Sequence, residues 1–405
     1  MVMVVMDNKP TSAGKPRLWT ANFIFVCLSN LTIYMVFHGT GPILPIYIER
    51  FGGATSSAGF AMAALTLAAV FSRPVSGWAL DKYGRKPVLL CGILVFLLPS
   101  IVYVFMVPVA ILIFFRFIQG LGWGIANTSL WTSAADIIPP ERSGEGMGFY
   151  SVSLSISMAI APALFLWVIT KYTFEIFFQL CVLFIVVSFV FALLVKYPQI
   201  EKQASQTKIA LLEKTALRIS MFMLFISIAI STQMSFIAVY AIEQGLASAG
   251  AYFTSLALST IVARPLSGVI IDRKGRSGYN LVILTGCISM GIAFGVLGNL
   301  SVPAHLIIGG VFFGLGFGFV QPTALSECIN QAPTARRGAA TATFWTAVDI
   351  GVAGGSVGWG FVANALGYGA MFQLAIVPIA VAMGIYFLRG KKGGAGSELA
   401  AGGDG

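Results

Sequence analysis

The 405-residue sequence has few charged residues, two histidines and no paired cysteine spacing. Charged side chains make up 10% of the chain and hydrophobic ones 57%, which is more apolar side chain than a soluble core can bury. The five cysteines and two histidines lack the spacing of a disulfide framework or a metal site. No phosphate-binding glycine loop with a lysine and no nucleophile with its base is found in the sequence. We therefore expect a lipid environment, no metal, no cofactor and no enzyme activity.

The amino terminus also lacks the layout of a signal peptide. Its first apolar run covers about 30 residues, whereas the apolar region of a signal peptide covers roughly 7–15, so this run is expected to remain as a membrane span. The apolar runs do not alternate with a two-residue period as barrel strands do, which favours helices. Runs of about 20 apolar residues between polar breaks predict twelve spans, at 18–47, 55–79, 87–107, 109–135, 145–170, 174–196, 215–241, 250–271, 279–298, 303–328, 338–364 and 369–388.

One segment of the chain occurs twice. The sequence SRPVSGWALDKYGRK at 72–86 returns without a gap as ARPLSGVIIDRKGRS at 263–277, 191 residues later. Such a duplication in an apolar chain predicts two related halves that face each other across a substrate path. The predicted organisation is a cytoplasmic segment, a six-helix bundle, a cytoplasmic linker, a second six-helix bundle and a disordered tail, at 1–17, 18–196, 197–214, 215–388 and 389–405.

The cations predict the orientation of the chain. If the termini and every second loop share one side, 20 of the 25 lysines and arginines lie there. By the positive-inside rule, both termini and the repeated turn are cytoplasmic, in a plasma membrane or cell inner membrane. Because the excess lies in short loops beside the bilayer, the net charge of +10 needs no nucleic-acid partner. A monomer suffices for this architecture.

The repeated turn resembles a motif of the major facilitator superfamily, Gly-x-Leu-Ala-Asp-Arg-x-Gly-Arg-Arg, although Ala79 and Leu80 are swapped relative to it. The resemblance implies twelve helices in two six-helix halves, and a cytoplasmic gate in which Asp81 ties the halves together when the protein faces outward. Arg73 and Arg264 are interpreted as parts of the same gate. The matching gate residues are Gly77, Asp81, Lys82, Gly84, Arg85 and Lys86, and again Gly268, Asp272, Arg273, Gly275 and Arg276.

A second pattern, Arg116-Phe-Ile-Gln119-Gly, lies in the fourth predicted span. It resembles the Arg-x-x-Gln-Gly motif of proton-coupled members of the superfamily. A guanidinium in an apolar helix is costly unless it faces the bundle interior or a watery cavity. The alternative interpretation places Arg116 near the extracellular end of the helix, where its head reaches water.

Three further titratable residues are candidates for proton coupling together with Arg116. Asp349 is the first choice, since a carboxylate in a low-dielectric environment readily takes up a proton. The alternative is a structural acid satisfied by hydroxyls such as Thr343, Thr346 and Ser356. Glu243 lies less deeply, at the outer end of the seventh span, and His38 carries a titratable group beside a possible bend.

Several polar and aromatic side chains on predicted helices are candidates for the wall of a substrate cavity. Asn30, Tyr34 and His38 follow one another at four-residue spacing and share a helix face. The other wall candidates are Asn127, Trp131, Gln233, Phe236, Tyr240 and Gln321.

The fifth span departs from the glycine-rich pattern of typical drug antiporters and keeps little more than Pro162.

The favoured function is therefore proton-driven efflux of small amphipathic molecules, such as drugs or a secreted metabolite, by alternating access. Sparse charge inside the membrane predicts a mostly apolar cavity. Two alternatives stay open: proton-coupled uptake of a sugar or organic acid, and a membrane sensor of the same fold that does not transport. Uptake of an organic anion would favour cations from both halves in the cavity, and the sequence offers Arg116 as a candidate.

Overall fold

The computed structural model describes residues 16–51, 55–197, 212–246 and 250–388, and the long elements in these ranges are all α-helices. Residues 1–15, residues 198–211 of the predicted linker and the predicted tail at 389–405 lie outside the described residues. The helices are α1 (Ala21–Arg50), α2 (Thr55–Tyr83), α3 (Arg85–Val104), α4 (Val109–Ile137), α5 (Ser143–Lys171), α6 (Phe174–Leu194), α7 (Leu217–Glu243), α8 (Gly250–Leu297), α9 (Pro303–Gln331), α10 (Arg337–Leu374) and α11 (Ile376–Leu388).

Ten helices among the described residues are long and apolar enough to cross a membrane. A helix satisfies its own backbone hydrogen bonds, which is why apolar runs of this length adopt it in lipid. The prediction of an all-helical membrane protein is confirmed. The predicted count of twelve helices is not confirmed. Gly275 (φ 53°) interrupts α8 and Gly367 (φ 82°) interrupts α10, each between two of the predicted spans.

The helices form two groups, which we call the N bundle (α1–α6) and the C bundle (α7–α11). Glycines allow close helix approach in corresponding places of the two. In the N bundle, a Cβ on Gly92 of α3 would lie 2.6 Å from the backbone nitrogen of Ala126 in α4. In the C bundle, a Cβ on Gly316 of α9 would lie 2.7 Å from the carbonyl oxygen of Gly286 in α8. The packing of the two bundles thus repeats, as the duplicated sequence predicts.

The bundles meet near the repeated turns, at what we call the turn end of the molecule. There α2 packs on the start of α10, where a Cβ on Gly77 would lie 2.8 Å from the carbonyl oxygen of Gly338. On the other side of the interface α8 packs on the start of α5, where Gly268 meets Gly144 and Glu145. No room for a side chain exists at these four crossing glycine positions, so backbone approaches backbone directly.

Away from the turn end the bundles diverge and leave a cleft. One face of α10 is buried at Gly338, Ala342 and Trp345, yet the same face is partly exposed at Asp349 and exposed at Ala353. Residues spaced by three or four share a helix face, so this face leaves its neighbour at the level of Asp349.

The other side of the interface behaves in the same way. On α5, one face is buried from Gly144 through Gly148 to Ser155 and is then exposed at Ala159. We call the space between these diverging faces the central cleft. It is closed at the turn end and opens toward the opposite end.

Valine at position 338 should prevent closure at the turn end, because its Cβ would lie 2.7 Å from the carbonyl oxygen of Gly77. Overpacking of this kind costs about 1–3 kcal/mol. The reporter is a disulfide between cysteines at Ser143 and Ser326, whose Oγ atoms lie 3.3 Å apart across the bundles, in a background without the native cysteines. We expect Gly338→Val to reduce the cross-linked fraction severalfold.

Gly354→Val is the matched control on the same helix, since a Cβ at Gly354 meets nothing within 4 Å. Equal cross-linking in the two variants would contradict the closure described for the turn end.

Candidate functional site

The acid of each repeated turn lies at the first turn of a helix from the opposite bundle. The carboxylate of Asp81 accepts hydrogen bonds from the backbone amides of Gly338 and Ala339 at the start of α10, at 2.9 and 3.0 Å. The carboxylate of Asp272 accepts from the amides of Gly144 and Glu145 at the start of α5, both at 2.9 Å. A carboxylate at a helix N-terminus satisfies free amides and the helix dipole together. Both acids therefore hold the bundles together.

Arginines of the two turns form ion pairs next to these contacts, and those of the first turn extend across the bundles. Arg85 pairs with Asp136 at 2.8 Å and with Asp81 at 3.2 Å, and Asp136 also accepts from Arg337 of the C bundle at 2.7 Å. In the second turn, Arg276 pairs with Glu327 inside the C bundle.

The remaining motif residues have simpler roles. The ammonium of Lys86 donates to the carbonyl oxygen of Leu193 at 3.0 Å. Gly84 and Gly275 have positive φ angles of 92° and 53°, a conformation that glycine adopts without steric cost.

An ion pair between Arg73 of α2 and Asp349 of α10 connects the bundles between the turn end and the central cleft. Nε of Arg73 lies 2.6 Å from Oδ2 of Asp349, and the two side chains are 3% and 17% exposed. None of the hydroxyls of Thr343, Thr346 and Ser356 donates a hydrogen bond to Asp349. Thr343 bonds to Ala339 and Glu213, and Ser356 bonds to Ser235. Thr346 has a buried hydroxyl oxygen without a hydrogen-bond partner.

Polar and aromatic side chains of the N bundle surround this ion pair. Arg73 donates to Oδ1 of Asn127 at 2.8 Å. The hydroxyl oxygen of Tyr34 accepts from the amide of Asn127 at 2.5 Å and from the indole of Trp131 at 3.3 Å. The guanidinium carbon of Arg73 lies 5.4 Å from the ring centroid of Trp345. Three predicted wall residues thus form one network with a residue that the sequence analysis assigned to the gate.

Arg264 occupies the matching place on α8. It donates to the carbonyl oxygen of Ser151 in the N bundle, and to Oε1 of Gln321 at 3.0 Å. Its guanidinium carbon lies 5.7 Å from the ring centroid of Phe317. Arg264 therefore also crosses the interface, and Gln321 is brought next to it.

Arg116 lies inside the N bundle rather than at a rim exposed to water. It is 1% exposed, and it donates to Oε1 of Gln119 at 2.5 Å and to the hydroxyl of Thr40 at 3.3 Å. Gln119 in turn donates to Ser100 at 3.0 Å. These contacts join α1, α3 and α4, and place Arg116 away from the contacts between the bundles.

The other α1 candidates have unfilled hydrogen-bonding capacity. The His38 ring stacks on Tyr34 with centroids 5.6 Å apart, and its Nε2 is buried without a hydrogen-bond partner. Asn30 donates to the hydroxyl of Ser153 at 2.6 Å, while its Oδ1 has no partner. These side chains lie beside the Asn127 network.

The α7 candidates lie apart from the Arg73 network. Oε1 of Gln233 accepts from Tyr252 at 3.3 Å, within the C bundle. Phe236 and Tyr240 both pack on the ring of Tyr368, with centroids 6.1 and 5.7 Å away. Glu243 is exposed at the end of α7.

Sequence reasoning did not identify the pairing of Arg73 with Asp349 or the part played by Trp345. The available signal was the repeated Arg-Pro step, at 73–74 and again at 264–265. It places a cation at one depth in each half. Nothing in the sequence linked Arg73 to an acid 276 residues away.

Comparisons with known proteins agree with this architecture. The family model described as Major Facilitator Superfamily matches residues 26–356. An uncharacterized MFS-type transporter of Methanocaldococcus jannaschii is 23% identical over 382 residues, covering 91% of this chain and 98% of that protein. The quinolone resistance protein NorA of Staphylococcus aureus is 26% identical over 144 residues, covering 35% of this chain and 37% of NorA.

Solved structures share the fold. FucP, the Fucose:proton symporter of E. coli, solved in the outward conformation, superposes with a TM-score of 0.77 at 15% identity, covering 92% of this chain and 99% of FucP. The human organic anion transporter MFSD10 superposes with a TM-score of 0.76, also at 15% identity, covering 92% and 100%. With the helical bundles, the doubled turn and the family match together, the chain belongs to the major facilitator superfamily and is a multi-pass membrane transporter rather than an enzyme.

Proposed function

We propose that this protein is a proton-coupled secondary transporter that exports small amphipathic molecules by alternating access. The observation that carries the proposal is the ion pair of Arg73 and Asp349, which joins the two bundles at the base of the central cleft. The multidrug relatives support the efflux direction, although the match to the Bacillus subtilis multidrug resistance protein 2 covers 34% of each chain.

The ion pair gives protons a way to control the interface. Opening the turn end separates α2 from α10, and so separates Arg73 from Asp349. Leaving a charge of a buried pair without its partner costs about 3–5 kcal/mol. A proton bound to Asp349 removes its negative charge and so weakens the attraction that holds the two side chains together, while Arg73 keeps its hydrogen bond to Asn127. The carboxylate keeps 17% exposure, so protons can reach it from the cleft.

The remaining features of the proposal follow from the sequence. Twelve spans arise if α8 crosses the membrane on both sides of Gly275 and the α10–α11 segment does so around Gly367. The turn end is then cytoplasmic, with both termini, and the cleft opens outward. Arg116 acts on the pair indirectly, through α1 and α4, and His38 acts through the ring of Tyr34, on which it stacks. Exposed Glu243 is the weakest coupling candidate.

In the first alternative, the same residues move a sugar or organic acid into the cell together with protons. In the second, a sensor has the same fold but carries out no net transport. Substrate-induced proton release distinguishes these functions. In a purified, lightly buffered sample, an exporter that exchanges protons for substrate releases protons on adding its substrate. The probes are ethidium, benzoate and a hexose, as a cationic, an anionic and a neutral molecule.

Asp349→Asn should abolish transport driven by a pH gradient in proteoliposomes while substrate binding stays measurable. The amide cannot exchange a proton, but it keeps the size of the side chain. Asp349→Glu, which keeps the carboxylate, should retain part of the transport. Glu175→Gln removes an exposed acid from the start of α6 and serves as the control. Full gradient-driven transport by Asp349→Asn would remove this residue from the mechanism.

Cysteine labelling in whole cells tests the proposed orientation. Single cysteines replace Lys171, exposed at the end of α5, and Lys274, exposed in the second repeated turn, in a background without the native cysteines. A membrane-impermeant maleimide should label Lys171→Cys in intact cells, and Lys274→Cys only after permeabilisation. The opposite pattern would invert the proposed topology.

A further inference from the structure

The two bundles repeat one unit made of an arginine and a side-chain amide. In the N bundle Arg73 donates to Asn127 at 2.8 Å, and in the C bundle Arg264 donates to Gln321 at 3.0 Å. Each arginine lies eight residues before the acid of its repeated turn. The amides lie at the same level of α4 and α9, 194 residues apart. The duplication has therefore placed two cations at one depth, on opposite sides of the interface.

The two units differ in their third member. Gly144 and Gly338 are corresponding positions, because each donates its backbone amide to the acid of the opposite turn. Asp349 lies eleven residues after Gly338, and Ser155 lies eleven residues after Gly144. Ser155 thus stands where the other unit has its carboxylate. It is 3% exposed, and its hydroxyl oxygen has no hydrogen-bond partner.

The Arg264 unit consequently has hydrogen-bond donors without acceptors. Arg264 and Gln321 are 1% and 2% exposed, and neither Nε of the arginine nor Nε2 of the amide has a partner. Among the described residues, no carboxylate forms an ion pair or hydrogen bond with Arg264. Buried polar groups without partners are costly, and a buried cation without an anion costs more.

We infer that Arg264, Gln321 and Ser155 form a binding site for the carboxylate of a small organic anion. This inference rests on the proposed transport function and names its substrate class. A guanidinium and an amide offer adjacent N–H groups that match the two oxygens of a carboxylate. The bound carboxylate takes the place that Asp349 fills in the other unit.

The surroundings favour an organic anion over an inorganic one. The ring of Phe317 lies beside the Arg264 guanidinium, with its centroid 5.7 Å from the central carbon. This apolar surface suits the body of an aromatic or aliphatic acid. His38 and Phe317 are both partly exposed, which leaves an approach from the central cleft. Arg116, which the sequence offered as a candidate cation for organic-anion uptake, lies inside the N bundle.

Calorimetric titration of the full-length protein in nanodiscs tests the site, without any pH gradient. Benzoate is the probe, and benzamide is its neutral analogue of nearly the same shape. We expect saturable benzoate binding, with benzamide and Arg264→Gln each weaker by about tenfold or more, since truncating a buried charge partner has an effect of this size. Arg50→Gln, which removes an exposed cation from the end of α1, should leave benzoate affinity unchanged.

Ser155→Asp provides a test that does not remove the arginine. The new carboxylate should pair with Arg264 as Asp349 pairs with Arg73, and so abolish benzoate binding in a folded protein. Ser155→Asn is the matched neutral control and should retain binding. Equal benzoate affinity in both Ser155 variants would overturn the assignment. So would benzamide binding as tight as that of benzoate, or phosphate and chloride displacing benzoate at equal or lower concentration, which would indicate a site for inorganic anions.

The outcome is separable from that of the transport proposal. If benzoate fails to bind while a pH gradient still drives another probe through Asp349, the carboxylate site is wrong and the proposed transport stands. If benzoate binds as described but no gradient moves any probe, the site stands and the proposed transport is wrong.

Discussion

The contact between Arg73 and Asp349 is the interaction on which the rest of the structure depends. Each charge lies in a long apolar helix, where an isolated charge is unstable, and each finds its partner only in the opposite bundle. The two charges can therefore neutralise each other only when the bundles come together. The contacts at the turn end consist of close backbone approach at glycines and of acids at helix N-termini. These contacts exist only while the bundles stay close.

The two halves of the duplicated fold differ at one corresponding position beside the interface. Both halves supply an arginine and an amide at the same depth, but Asp349 completes one unit and Ser155 stands in the other. One cation is balanced by the protein itself, and the other is left for an external anion. Proton uptake and substrate binding would then act on matching positions of the two halves, so each would bias the same interface.

Much of the fold was predictable from the sequence, because length and hydropathy of apolar runs determine helices in lipid and the repeated turn reveals two halves. The count of twelve helices stays a prediction, although Gly275 and Gly367 have non-helical backbone between pairs of predicted spans. The site was only partly predictable. Asp349 and Asn127 were identified as polar residues in apolar helices. Their convergence on Arg73 depends on packing between halves, which no local pattern encodes.

Distance measurement between the bundles tests the central claim most directly. Spin labels at Leu67 of α2 and Phe361 of α10, both exposed beyond the ion pair, report the width of the cleft by double electron–electron resonance. If the pair holds the turn end closed, Asp349→Asn should shift the distribution toward shorter distances, as the turn end opens and the opposite end closes. An unchanged distribution in Asp349→Asn would contradict the account.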